Sequence, residues 1–168
     1  LSIACVAVDL SIGNLNWVES HTEKTDTLSG LDEISCFLQK FPAKEFFIVS
    51  DNFNKDLNNF PEGIETLFLK SKFNKELKNL PKSLKYLSIS SSRFNNNILL
   101  KDSNLVELSL EVGSDFFEDD YKRCKIVFNK IFELPKTLKK LSVEWFDKWL
   151  PGFDNLPDDL EELKIRRT

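Results

Sequence analysis

The sequence predicts an α/β repeat fold, a solenoid in which about six short strands lie side by side in one parallel sheet. Three observations predict it. A long pattern recurs at an offset of 20 residues, a short apolar-alternating segment recurs six times along the chain, and the composition suits one continuous core. With 168 residues and 41% hydrophobic content the chain can bury one core and is too short for two comfortable ones, so a single domain is expected.

The repeat is visible by self-comparison. Phe53-Asn54-Lys55, Leu57, Pro61 and Leu67 return as Phe73-Asn74-Lys75, Leu77, Pro81 and Leu87. The ending of the unit returns as Leu105-Val106-Glu107-Leu108-Ser109-Leu110, as Leu138-Lys139-Lys140-Leu141-Ser142-Val143 and as Leu160-Glu161-Glu162-Leu163-Lys164-Ile165, each of the form L-x-x-L-x-L. Working backwards, Phe46-Phe47-Ile48-Val49 falls in line. The anchors are then Phe47, Leu67, Leu87, Leu108, Leu141 and Leu163, spaced 20, 20, 21, 33 and 22 residues apart, the range of leucine-rich repeats apart from one insertion.

A short strand with period-2 alternation buries one face only, so L-x-L turns two side chains inward and the intervening ones outward. A single unit cannot shield its leucines. Stacked units place the strands in a parallel sheet with the leucines in columns, so each is stabilised mainly by its neighbours. Pro61, Pro81, Pro135 and Pro157 stand six residues before an anchor, where an irregular backbone tolerates the missing N–H. Phe53, Phe73, Phe94 and Phe153 are expected to fill the convex side of the core. Asn54, Asn74 and Asn95 are expected to satisfy turn backbone through their side-chain amides.

Two stretches depart from the repeat. After Leu108, residues 113–127 are extra. Phe117, Tyr121, Cys124, Phe128 and Ile131 follow a 4, 3, 4, 3 spacing, with Ser114 as N-cap and Glu118, Asp119 and Asp120 near the positive end, which predicts a convex-side amphipathic helix. Residues 1–45 carry strand and helix signals in place of the repeat: Ile3 to Val8 is apolar on both faces, Ser11 to Asn14 reads as a turn, and Ser29 to Asp32 opens a run with Leu31, Ile34, Leu38 and Phe41 on one face. The expected organisation is an N-terminal capping unit over 1–45 and repeats over 46–168. Nothing in Arg166-Arg167-Thr168 resembles a cap, and the first residue is Leu1, so a piece of a longer chain is expected.

Composition narrows the function classes. A net charge of -4 disfavours a general grip on nucleic acid, and the longest apolar run, Ile3 to Val8, is strand-sized, so neither nucleic acid nor a membrane is the expected partner. Cys5, Cys36 and Cys124 are scattered without a CxxC pair, which favours reduced thiols and a cytoplasmic setting, with the three as small apolar core residues.

The run Phe-Asn-Lys-x-Leu-x-x-Leu/Phe-Pro-x-x-Leu/Ile-x-x-Leu-x-Leu at 53–69 and 73–89 closely resembles the FNIP repeat family of leucine-rich repeats, abundant in social amoebae and giant viruses. The resemblance spans about 120 residues and weakens after Asn95, where Asp102 replaces the proline. Family members often join the repeats to an F-box or another effector domain, which implies a substrate-recruiting arm in a ubiquitin-ligase or signalling setting; no F-box is evident in this sequence. The LPX-type repeat of bacterial effectors is the rival resemblance, against which the Phe-Asn element weighs.

Catalytic groups are sparse. His21 is the sole histidine and lies in a polar stretch that reads as a solvated loop, Glu118 to Asp120 reads as a helix start, and Cys124 sits on the apolar helix face. Trp145 and Trp149 are expected in convex-side packing. The chain is therefore expected to be no enzyme and to need no cofactor, metal or small-molecule substrate.

The informative positions are those the alternation turns outward on the concave face. Phe46, Ile48, Phe68 and Tyr86 form an apolar and aromatic patch at the early repeats, while Glu107, Glu111, Lys140 and Glu144 give the later repeats mixed charge. Exposed aromatics grouped together are the material of binding hot spots. Two readings stay open: the patch binds a protein partner, or it is covered by the N-terminal unit or by its own neighbours.

Overall fold

The computed structural model describes residues 4–8, 44–50, 53–58, 60–112, 132–145 and 155–167. In chain order the strands are β1 (Ala4–Val8), β2 (Glu45–Ser50), β3 (Thr66–Ser71), β4 (Leu77–Lys78), β5 (Tyr86–Ser91), β6 (Ile98–Leu99), β7 (Glu107–Val112), β8 (Phe132–Glu133), β9 (Lys140–Trp145) and β10 (Glu162–Arg167). Because each L-x-L segment can hide its leucines only under the next, β2, β3, β5, β7, β9 and β10 pair in parallel, neighbour to neighbour in sequence order. The chain is a parallel β-solenoid. β1 pairs antiparallel with β2, with Cys5 opposite Ile48, and so covers the first edge of the sheet. The second face of the coil carries a small parallel sheet of two-residue strands, β4, β6 and β8.

The core is a set of columns that run across the repeats. Leu67, Leu87, Leu108 and Leu141 form one, Leu69, Ile89, Leu110 and Val143 the next, and Ile64, Leu84, Leu105 and Leu138 a third; all twelve are buried. Burying a side chain of this size is worth about 1.5–3 kcal/mol against leaving it in water, so a column shared by four turns couples their stabilities. Phe53, Phe73 and Phe94 are buried on the far side as expected, and Phe73 and Phe94 stack with centroids 6.0 Å apart. Leu163 and Ile165 hold the same register on β10 but are each 42% exposed, with no following strand among the described residues.

One register differs from the sequence reading. Phe46, not Phe47, pairs with Leu67, and Ile48 pairs with Leu69, so Phe46 and Ile48 enter the core columns with no exposed surface, while Phe47 pairs with Phe68 on the outer face. The spacing from the first anchor to Leu67 is 21, not 20. The backbone gives the same answer independently. One carbonyl per repeat accepts two N–H groups from the next: Lys44 from Glu65 and Thr66, Glu65 from Lys85 and Tyr86, Lys85 from Val106 and Glu107, Val106 from Lys139 and Lys140, and Lys139 from Glu161 and Glu162. Each accepting residue stands two before an anchor, which puts the first anchor at 46.

The turns explain the prolines and asparagines. The carbonyls of Pro81, Pro135 and Pro157 each accept the N–H three residues on, from Leu84, Leu138 and Leu160 at 3.1 Å, so the proline begins a turn where its own N–H is not needed. Gly63 takes φ 101°, a conformation open to glycine, in the turn after Pro61. The asparagines form a ladder: Asn74 N–H donates to Asn54 Oδ1 and Asn95 N–H donates to Asn74 Oδ1, both at 2.8 Å, and Asn96 Nδ2 adds a second bond to Asn74 Oδ1 at 2.8 Å. Glu62 does similar work, with Oε1 accepting from Lys82 N–H at 2.8 Å and Oε2 from Ser83 N–H at 3.0 Å, while Ser83 Oγ accepts from Gly63 N–H.

The predicted helix over 113–127, the helical run over residues 29–41, the turn at 11–14, Trp149 and Phe153 lie outside the described residues. Trp145 ends β9, in register with Val112 and Arg167.

Candidate functional site: the outer face of the main sheet

Alternation leaves three rows of outward positions across the six parallel strands. The central row runs Phe47, Phe68, Ser88, Ser109, Ser142, Lys164. On one side stand Thr66, Tyr86, Glu107, Lys140 and Glu162, and on the other Lys70, Ser90, Glu111, Glu144 and Arg166. Parallel in-register neighbours are about 4.8 Å apart, so like side chains on one face meet directly.

The aromatic end of this face is built by that rule. Phe47 and Phe68 stack face to face with ring centroids 4.6 Å apart and planes at 3°. Phe68 is 40% exposed and Tyr86, one strand on, is 41% exposed. Aromatic surface of this kind, grouped and open to solvent, is uncommon away from contact sites.

The middle of the face is shallow. Ser88, Ser109 and Ser142 follow one another in the central row, flanked by the longer side chains of Tyr86, Glu107 and Lys140 and of Glu111 and Glu144. Lys140 Nζ lies 3.8 Å from the Glu107 carboxylate, and Glu111 and Glu144 occupy directly paired positions on β7 and β9. On β10, Lys164 Nζ sits 2.6 Å from Glu162 and, through that hydrogen bond, holds the Glu162 carboxyl below its ordinary value. At the rim where turns enter the strands, Lys44 and Lys85 grip the two oxygens of Glu65 at 2.7 and 3.1 Å and lower its pKa in the same way.

Of the residues expected on this face, Phe68, Tyr86, Glu107, Glu111, Lys140 and Glu144 occupy outward positions. Phe46 and Ile48 do not: both are wholly buried, and the aromatic end is made instead by Phe47 with Phe68 and Tyr86. Sequence reasoning missed Phe47, although a signal for it existed. Ser50, Ser71 and Ser91 end their strands at spacings of 21 and 20, and aligning those serines puts Phe46 inward and Phe47 outward.

The face carries hydroxyls, carboxylates, amines and aromatic rings, a chemistry suited to contact. Among the described residues no group of three or more His, Cys, Asp or Glu is placed to hold a metal ion. His21, Glu118 to Asp120 and Cys124 lie outside the described residues. Comparison with known protein families, with curated proteins and with solved structures finds no match to this chain.

Proposed function

We propose that this chain is a protein-interaction module, a leucine-rich-repeat solenoid of the FNIP type that takes a protein partner on the outer face of its main sheet. The observation that carries the reading is the stacked pair Phe47–Phe68 with Tyr86 beside it, with Phe68 and Tyr86 open to solvent on rigid, fully paired strands. Aromatics held this way lose little conformational freedom on binding, which is why they dominate interface energetics. The repeat assignment is supported by the fixed offsets of Phe, Asn, Pro and Leu and by the buried columns they make. In this reading the chain performs no catalysis of its own and works inside the cell, where its scattered thiols stay reduced.

The test is a pair of substitutions, Phe68→Ser and Tyr86→Ser, applied to the chain immobilised as bait and compared with the parent. Partners captured by the parent and lost by the double variant at an unchanged fold support the reading. Capture that is indifferent to both changes contradicts it.

A further inference from the structure

The end of the solenoid opposite Phe47 and Phe68 leaves its core open. On the β9 turn the column residues Leu138, Leu141 and Val143 are buried, whereas on the β10 turn Leu163 and Ile165 are each 42% exposed and Leu160 is half-buried. Among the described residues no strand pairs with the second edge of β10. The Glu162 N–H donates to the Lys139 carbonyl at the start of β9. Backbone groups alternate between the two edges of a strand, so those of Lys164 and Arg166 face β9 as well, and those of Leu163 and Ile165 face the open edge. Unpaired backbone beside exposed apolar side chains is a template for another strand.

We infer that β10 takes the β10 of a second copy of this chain, antiparallel about a two-fold axis at Lys164, so that the two main sheets become one. The segment Glu161-Glu162-Leu163-Lys164-Ile165-Arg166-Arg167 is complementary to its own reverse: acid, acid, apolar, lysine, apolar, base, base. Reversal sets Leu163 opposite Ile165 of the second copy, and these are the residues whose N–H and C=O groups face the open edge, so they exchange hydrogen bonds while their side chains close the open columns. Glu162 then stands opposite Arg166 and Glu161 opposite Arg167, each twice by symmetry. Only Lys164 meets its like, and its ammonium is already held by Glu162 Oε1 of its own strand at 2.6 Å, which leaves a second carboxylate oxygen for the arriving guanidinium. Sliding by two residues, the smallest step that keeps the backbone groups facing, sets Ile165 against Glu161 in one direction and Lys164 against Arg166 in the other. The charges therefore select one register.

Sedimentation velocity of the 168-residue chain over a concentration series tests this. The expected result is a shift with concentration from 19.5 kDa to twice that mass. Glu162→Arg and Arg166→Glu, each checked for an unchanged melting temperature, are each expected to weaken self-association at least tenfold, because the axis counts every change twice. Glu162 and Arg166 also stand beside Lys140 and Glu144 on β9, so the decisive sample is an equimolar mixture of the two variants. Opposite charges meet again at both positions there, and dimers of mixed composition are expected to return. Ile165→Pro removes an N–H that faces the open edge and spares the pairing with β9, so it is expected to give monomers and keeps the test decisive should a charge variant fail to fold. A parent that stays monomeric at millimolar concentration overturns the inference, as do species larger than a dimer. Association that survives Ile165→Pro, or charge variants that stay monomeric when mixed, overturns it as well.

Discussion

Phe47 on β2 and Phe68 on β3 lie ring over ring at 4.6 Å and 3°, the outward partners of a strand pair whose inward partners are Phe46 with Leu67 and Ile48 with Leu69. The outer face owes its aromatic end to this one-residue register, since a slip by one exchanges every inward side chain for an outward one.

The outer aromatics, which the proposed function assigns to binding, are expected to contribute little to stability. An aromatic pair is worth about 0.5–1.5 kcal/mol beyond burial, so Phe68→Ser is expected to lower the melting temperature by only about 2–5 °C in a chain of this size. Differential scanning calorimetry checks this. A fall of 10 °C or more on the order of a core deletion shows instead that Phe68 belongs to the core.

The asparagine ladder contributes to stability. Asn74 Oδ1 receives Asn95 N–H and Asn96 Nδ2 together. Asn74→Leu removes both acceptances and strands a half-buried backbone N–H, at a cost of about 1–3 kcal/mol, or roughly 3–10 °C of melting temperature. Asn54→Leu, at the more exposed end, is expected to cost less. Equal melting curves for Asn74→Leu and the parent count against the ladder as a stabilising device.

Acid weakens the fold through its gripped carboxylates. For Glu62, burial works to raise the pKa, but the Lys82 and Ser83 backbone N–H groups, the Ser83 hydroxyl and the Lys82 charge together lower it; Glu65, Glu76 and Glu162 are lowered by hydrogen bonds from lysine side chains first. A folded value below the unfolded one, which is 4.5, means the unfolded chain binds more protons in acid. The contribution of these groups is complete above that value and is lost as the pH falls through the lowered folded values. Urea titrations are expected to show flat stability from pH 7 to about 5.5 and a decline below about 4.5. Glu62→Gln is expected to lower the melting temperature at pH 7 by about 2–4 °C, the worth of about 1 kcal/mol of hydrogen bonding, with the gap closing in acid. A constant gap down to pH 3 contradicts this role for Glu62.

The physical reasons for what the sequence revealed are local. Ser88, Ser109 and Ser142 separate the buried apolar pairs Leu87 and Ile89, Leu108 and Leu110, and Leu141 and Val143, so hydropathy alone states the parity of those three strands, and the 20-residue repeat carries it to the buried Leu67 and Leu69. Phe46-Phe47-Ile48-Val49 is apolar at every position, so hydropathy carries no parity there; backbone pairing to β3 decides it, and that information lies in the positions outside the run. Lys44, Glu65 and Lys85 form a charge-alternating series in space that also encodes the 21-residue step. The small sheet of β4, β6 and β8 escaped notice because two residues are too few to show a period. On the outer face, Phe68, Tyr86, Glu107, Glu111, Lys140 and Glu144 were legible from alternation, whereas which residue of the first strand joins them was not, because it hangs on the parity of that one run.

Neighbouring positions test the account most directly. Phe46→Ala and Phe47→Ala delete the same ring one residue apart, and their melting temperatures and partner binding are to be measured side by side. Phe46→Ala is expected to cost about 3–5 kcal/mol, a fall of roughly 10 °C or more, as a cavity opens under β2. Phe47→Ala is expected to fall by only a few degrees and to lose binding. The opposite order, with Phe47→Ala the destabilised chain and Phe46→Ala folded and deprived of its partner, contradicts both the register and the surface built on it.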